Sequence, residues 1–111
     1  AMRRMLRLAE PPTAVFAAND IQAIGAISAC RDAGLKVPQD VSIIGFDDLP
    51  VAEFSNPKLT MIHVPRDKMG HLAASRIFEM ITGVIDPRSE VLPVELVIRE
   101  STDNCPAARR L

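Results

Sequence analysis

Val15–Ile27 reads VFAANDIQAIGAI: a short apolar run, then Asn19-Asp20, then at once a second apolar run. The first run, Thr13 to Ala18, is brief and almost wholly apolar, which suits a strand buried on both faces of a parallel sheet. The second, Asp20 to Ala33, repeats apolar residues at helical spacing. Gly34 stands just beyond its end, where a left-handed C-cap is needed. A strand passing directly into a helix is the first half of a parallel β-α-β unit, and this decides the fold class.

Upstream, Met2, Met5, Leu6 and Ala9 share one face of what reads as the last turns of a helix, stopped by Pro11-Pro12. Downstream, LKVPQD (35–40) is a loop, VSIIGF (41–46) a second strand and LTMIHV (59–64) a third. Asp67 to Thr82 is an amphipathic helix with Met69, Leu72, Ala73, Ile77, Met80 and Ile81 on one face, closed by Gly83. VLPVELVIRE (91–100) is a final strand interrupted by Pro93, and Ser101 to Leu111 reads as a frayed tail. The order helix, strand, helix, strand, strand, helix, strand is an α/β pattern with right-handed parallel crossovers. The strands ending at Ala18 and Phe46 then finish on the same sheet edge. That brings Asn19-Asp20 beside Asp47-Asp48 at the carboxyl ends of neighbouring strands, where open α/β sheets bind ligands.

Composition narrows the function. The 111 residues are 48% hydrophobic, enough for one small core, and carry 13 basic against 14 acidic side chains, a net charge of −1. Such a balance offers no bulk attraction to nucleic acid or an anionic membrane. With no Trp, no Tyr and four Phe there is no stacking platform for single strands. No run approaches the ~20 apolar residues of a membrane span, and no leader pattern is visible, so no membrane role is expected. Cys30 and Cys105 fit neither a zinc site nor a disulfide framework, which points to reduced thiols in the cytoplasm.

Asn and Asp are both preferred helix caps, and the helix after Ala18 needs only one. Either Asn19 or Asp20 is therefore spare for a ligand. In GFDD (45–48), Asp47 and Asp48 suit a turn after a strand. They also suit a ligand site, in which a carboxylate accepts hydrogen bonds from vicinal hydroxyls while Phe46 covers the apolar face of a ring. A magnesium site built from Asp20, Asp47 and Asp48 lacks any accompanying phosphate loop. His63 and His71 have no third ligand at metal spacing, and no nucleophile arrangement is evident. No metal, cofactor or catalytic residue is expected. The helix from Asp20 has an apolar band wider than one core face needs, which suits a helix packed deep in a larger domain, a subunit interface, or a mixture of the two with Ile24 and Ser28 on the outer side. The arginines at 3, 4, 7, 109 and 110 read as solvated surface.

The segments PPTAVFAANDIQAIGAI, AGLKVPQDVSIIGFDDLP, PKLTMIHVPRDKMGHLAA and VLPVELVIREST, in this order and spacing, resemble the C-terminal part of lactose-repressor/galactose-repressor (LacI/GalR) family transcription regulators. The resemblance runs from about Met2 to Thr102. It implies a type I periplasmic-binding-protein-like effector domain, three-layer αβα with a parallel sheet. Residues 1–64 would belong to the C-terminal lobe, 65–90 would cross to the other lobe, 91–102 would return, and 103–111 would be a tail. In the family a sugar or nucleoside-type effector binds between two lobes and controls operator binding by a separate helix-turn-helix domain. The core dimerises. The matching residues imply effector contacts at Asn19, Phe46 and Asp47. They imply a cap at Asp20, support at Asp48, and a dimer surface with Ile21, Ile24, Ser28 and Phe54. The last residue of LTMIHV is commonly Gln in relatives and is Val64 here, which removes a polar contact. A periplasmic sugar-binding protein of a transport system is the alternative of the same fold. The apolar face of the helix from Asp67 is expected to make the chain self-associate.

Overall fold

A computed structural model describes residues 1–84 and 89–104. Cys105, Arg109, Arg110 and most of the predicted tail lie outside the described residues. The elements are α1 (Met2–Met5), β1 (Ala14–Phe16), α2 (Asp20–Asp32), β2 (Ser42–Asp47), α3 (Val51–Phe54), β3 (Thr60–His63), α4 (Arg66–Ile81) and β4 (Glu95–Val97). The chain divides into two compact units, Ala1–His63 with the segment from Leu96 on, and Val64–Glu95.

In the first unit the sheet order is β1-β2-β3-β4. β1 pairs parallel with β2, Phe16 opposite Ile44, and β2 pairs parallel with β3, Asp47 opposite His63. Side chains alternate across such a sheet. Val15, Ile43, Gly45 and Met61 therefore share the face covered by α2, where Ala23, Ala26, Ile27, Ala29 and Cys30 are buried against them. Ile43, Leu59 and Met61 are fully enclosed, each worth roughly 1.5–3 kcal/mol of apolar burial. The approach is closest at Gly45, where a β-carbon would lie 3.1 Å from the Ala23 methyl and 2.7 Å from the Met61 sulfur. A branched side chain at 45 would push helix and strand apart.

The opposite sheet face carries Phe16, Ile44, Phe46 and Ile62, with Phe16 61% exposed and edge-on to Phe46 at 6.5 Å between ring centroids. The expectation that the strand at Thr13–Ala18 is buried on both faces is thus corrected. Among the described residues β1 is covered on the α2 side only, and an all-apolar sequence cannot report which face has a neighbour.

The ends of α2 follow from their residues. Asn19 caps the start, and at the other end Leu35 N–H bonds to the Cys30 carbonyl and Gly34 N–H to that of Arg31. Gly34 has φ +74°, the left-handed turn that glycine takes without a steric penalty. The first helix is shorter than its apolar pattern suggests. After Met5 the bonds from Arg7 N–H to Arg4 and from Leu8 N–H to Met5 span three residues, so the chain winds down as tight turns well before Pro11. α3 was not foreseen. It is a single turn started by Pro50 and closed by the Ala52 N–H to the Leu49 carbonyl, with Ala52 fully buried.

Ser101 overturns the reading of 101 onward as a frayed tail. It is fully buried, its Oγ accepts the Thr60 N–H at 2.8 Å and donates to the Ile43 carbonyl, and its own carbonyl accepts the Ile43 N–H. Thr102 and Asp103 are tied in turn to Thr60 and Ser42.

In the second unit, α4 has no buried residue, and Ile77, Phe78 and Ile81 stand out at 58%, 69% and 79% exposure. Arg76 holds Glu79 and Glu90 at 2.9 Å each. Gly83, at φ +73°, ends the helix in the same way as Gly34.

Candidate functional site

Two parallel strands that finish side by side bring the predicted polar residues to one edge. β1 and β2 run parallel up to Phe16 opposite Ile44, with the Ala17 N–H on the Ile44 carbonyl at 2.8 Å, so the chain leaves both strands at the same sheet edge, with Asn19 after β1 and Asp47 at the end of β2.

Asn19 and Asp20 divide their work differently from the implied roles. Asn19 has extended backbone (φ −161°, ψ 174°), and its Oδ1 accepts the Gln22 N–H at 2.9 Å, so Asn19 is the cap. That leaves its Nδ2 group as a donor at the sheet edge. Asp20, the first helical residue, is fully buried, and its Oδ1 accepts the Leu49 N–H at 2.8 Å. Its position suits the positive end of the helix dipole, but its bond goes to the loop after β2. Reading Asp20 as the cap is therefore corrected: the capping geometry needs extended backbone, which Asn19 has and Asp20 lacks.

Asp47 and Asp48 both lie in the left-handed region, at φ +94° and +59°. Each such non-glycine residue costs of order 1–3 kcal/mol and persists only where its surroundings impose it. Asp47 is half-buried at the strand end. The Asp48 side chain is 8% exposed and lines no open surface. Its Oδ1 meets Arg99 Nη1 at 2.7 Å and its Oδ2 meets His63 Nδ1 at 3.2 Å. Arg99 also donates to the Leu59 carbonyl at 2.7 Å and reaches Glu53 at 3.6 Å. Burial alone would raise the Asp48 carboxyl. The hydrogen bond and charge of Arg99, followed by those of His63, outweigh it and hold the carboxyl below the ordinary aspartate range.

Phe46 is half-buried on the sheet face away from α2. Val64 opens the second unit. Ile21 and Phe54 are exposed, at 68% and 84%. Ile24 and Ser28 are half-buried, and Ile24 also packs on the core. A cavity of about 710 Å³ between α1, β1 and α2 reaches Ser28 but not Asn19, Phe46 or Asp47; it follows the open flank of β1, an edge strand here. The Cys30 thiol is pushed up by burial and then by the charge of Asp40, which makes it unreactive. Among the described residues no three His, Cys, Asp or Glu side chains are grouped to hold a metal, and no helix is long and apolar enough to cross a membrane.

Sequence reasoning passed over Arg99 and underrated His63. The one available signal was a guanidinium directly after the apolar run LVI (96–98), where a charge that folds inward requires a buried partner.

A parallel sheet whose carboxyl edge presents polar side chains from two adjacent strand ends has the arrangement at which open α/β sheets take ligands. Residues 1–102 match the periplasmic binding protein-like domain family, and the chain belongs to it, among the LacI/GalR regulators. It is 42% identical to the HTH-type transcriptional repressor CytR of Escherichia coli K12 over 96% of the chain and 31% of the relative. The transcriptional regulator CelR in complex with cellobiose has a TM-score of 0.87 at 39% identity, over 91% of this chain and 31% of that one. The lac repressor dimer bound to operator and the anti-inducer ONPF has a TM-score of 0.85 at 34% identity, over 91% and 35%. The chain spans about a third of the length of the curated relatives it matches.

Proposed function

We propose that this chain is the effector-binding and dimerisation part of a cytoplasmic transcriptional regulator, and not an enzyme. The parallel pairing that brings Asn19 and Asp47 to one sheet edge carries the proposal. Asp47 offers carboxylate oxygens to adjacent hydroxyls of a sugar or nucleoside, Asn19 offers its Nδ2 donor, and Phe46 covers an apolar ring face. The remaining contacts come from the other lobe. The exposed side chains of Ile21 and Phe54, flanked by Ile24 and Ser28, form the dimer surface. Operator DNA is read by a helix-turn-helix domain of the kind the relatives are named for. Effector binding changes the lobe geometry and, through it, operator affinity, as a coupling between two sites. A solved relative holding cellobiose supports a hydroxyl-rich ligand. The relatives named as repressors weigh against a transport protein of the same fold.

The test uses the complete regulator on its operator, in mobility shifts against a panel of nucleosides, purine bases and disaccharides. Asp47→Ala abolishes the response while operator binding persists. Asn19→Ser keeps a capping oxygen, so it weakens the response and leaves thermal stability nearly unchanged. An Asp47→Ala protein responding at wild-type effector concentration overturns the assignment.

A further inference from the structure

We infer that Asp48 and Asp20 are positioning residues that hold Asp47 in its ligand-facing conformation, gripping the loop after β2 from opposite sides. The inference rests on the proposed role of Asp47 as an effector contact. Two successive left-handed residues, neither of them glycine, turn the chain where β2 ends. On the strand side, Asp47 is set by its pairing with His63. Beyond it, the next two residues are each anchored to a different element. Asp48 is tied by its two carboxylate oxygens to His63 on β3 and to Arg99 just past β4. Arg99 is itself held by the Leu59 carbonyl, so the anchor is not a floating side chain. Leu49 is tied through its N–H to Asp20 on α2.

Asp20 has no other evident task. Asn19 already caps α2, and the second Asp20 oxygen is buried without a hydrogen-bond partner. A fully buried carboxylate with one bond, to Leu49 N–H, is costly unless that bond matters to the loop. The Asp47 backbone is thus constrained before and after, and its carboxylate direction follows from α2, β3 and the residue after β4 together. Preorganisation of this kind raises affinity by removing the cost of ordering the loop when a ligand arrives.

The test compares wild type, Asp48→Asn, Asp20→Ala, Arg99→Lys and Asp47→Ala in the complete regulator. Amide hydrogen exchange of the peptide Gly45–Val51 reports the loop, and the peptide Ile21–Cys30 reports α2. Calorimetric titration with cellobiose and with adenosine, both bearing adjacent hydroxyls, reports the site. Asp48→Asn and Asp20→Ala, which removes the acceptor of the Leu49 N–H, should raise exchange in Gly45–Val51 by about tenfold or more with Ile21–Cys30 unchanged. Whichever probe the wild type binds should bind them about tenfold more weakly. Arg99→Lys keeps the charge and should recover part of both effects. Unchanged exchange in Gly45–Val51 overturns the inference, as does an equal rise in Ile21–Cys30, which would mean general destabilisation. If exchange rises locally but Asp47→Ala binds like wild type, the effector reading fails and the positioning stands. If Asp47→Ala loses binding while Asp48→Asn and Asp20→Ala keep it with an unchanged loop, the reverse holds. Should neither probe bind, the exchange comparison decides by itself.

Discussion

Replacing Ser101 by alanine tests how the chain segment after β4 is fastened. Ser101 is fully enclosed, and its hydroxyl oxygen is the acceptor 2.8 Å from the N–H of Thr60, a residue only 2% exposed. The same hydroxyl donates to the Ile43 carbonyl. In Ser101→Ala, both bonds vanish and the Thr60 N–H is left buried without that acceptor. Each lost bond is worth about 1 kcal/mol net, and an orphaned buried donor adds a further ~1–3 kcal/mol, partly offset because the serine hydroxyl no longer needs burying. A loss of about 2–4 kcal/mol follows, equivalent to a fall in Tm of roughly 8–15 °C for a chain of this length. Urea unfolding measures it, with the slope unchanged if only stability has moved. Hydrogen exchange at the Thr60 amide should accelerate in parallel. Ser42→Ala is the internal control. Ser42 is half-buried and its bonds to Asp103 are 3.2 and 3.3 Å, so its removal should cost less than about 0.5 kcal/mol. A Ser101→Ala loss below about 1 kcal/mol, or one no larger than that of Ser42→Ala, would refute the reasoning.

Asp48 predicts an acid dependence. Its carboxyl lies below the ordinary aspartate value when folded. Its contribution is therefore fully present above about pH 4 and is lost as pH falls through the folded value. Denaturation measured from about pH 2 to 6 should show a flatter acid limb for Asp48→Asn, and an unaltered limb would count against the ion pairs with Arg99 and His63. At Gly45, valine should cost about 2–3 kcal/mol and alanine under about 1 kcal/mol. The Met61 side-chain end can move aside for a single methyl, whose 3.1 Å approach to Ala23 needs a shift of only a few tenths of an ångström, whereas the further carbons of a branched side chain add to the crowding between α2 and β2. Thermal unfolding of the two variants decides, and equal tolerance would mean a looser contact between α2 and β2.

Much of the architecture is legible in local pattern. The two glycines after α2 and α4 mark helix ends because only there does the backbone need φ above zero, and both sit there, at +74° and +73°. The alternation of strand and helix around Asn19-Asp20 leads to parallel pairing, and parallel pairing puts Asn19 and Asp47 on one edge. These features depend on residues near one another in the chain, or on the one handedness that a crossover takes. Which of Asn19 and Asp20 caps the helix is different in kind. Both residue types satisfy the same rule, and the choice falls to Asn19 because the Leu49 N–H, 29 residues away, claims Asp20. Distance in the chain hid Ser101 and Arg99 for the same reason. A serine past the last strand and an arginine after an apolar run acquire meaning only when Thr60, Ile43 and Asp48 are folded against them. The sequence by itself determined the element types, the parallel order and the edge on which polar groups gather, because these follow from local periodicity and chirality. The tertiary structure alone decided which buried polar groups pair, since a hydrogen bond or ion pair between distant segments leaves no periodic trace in either one.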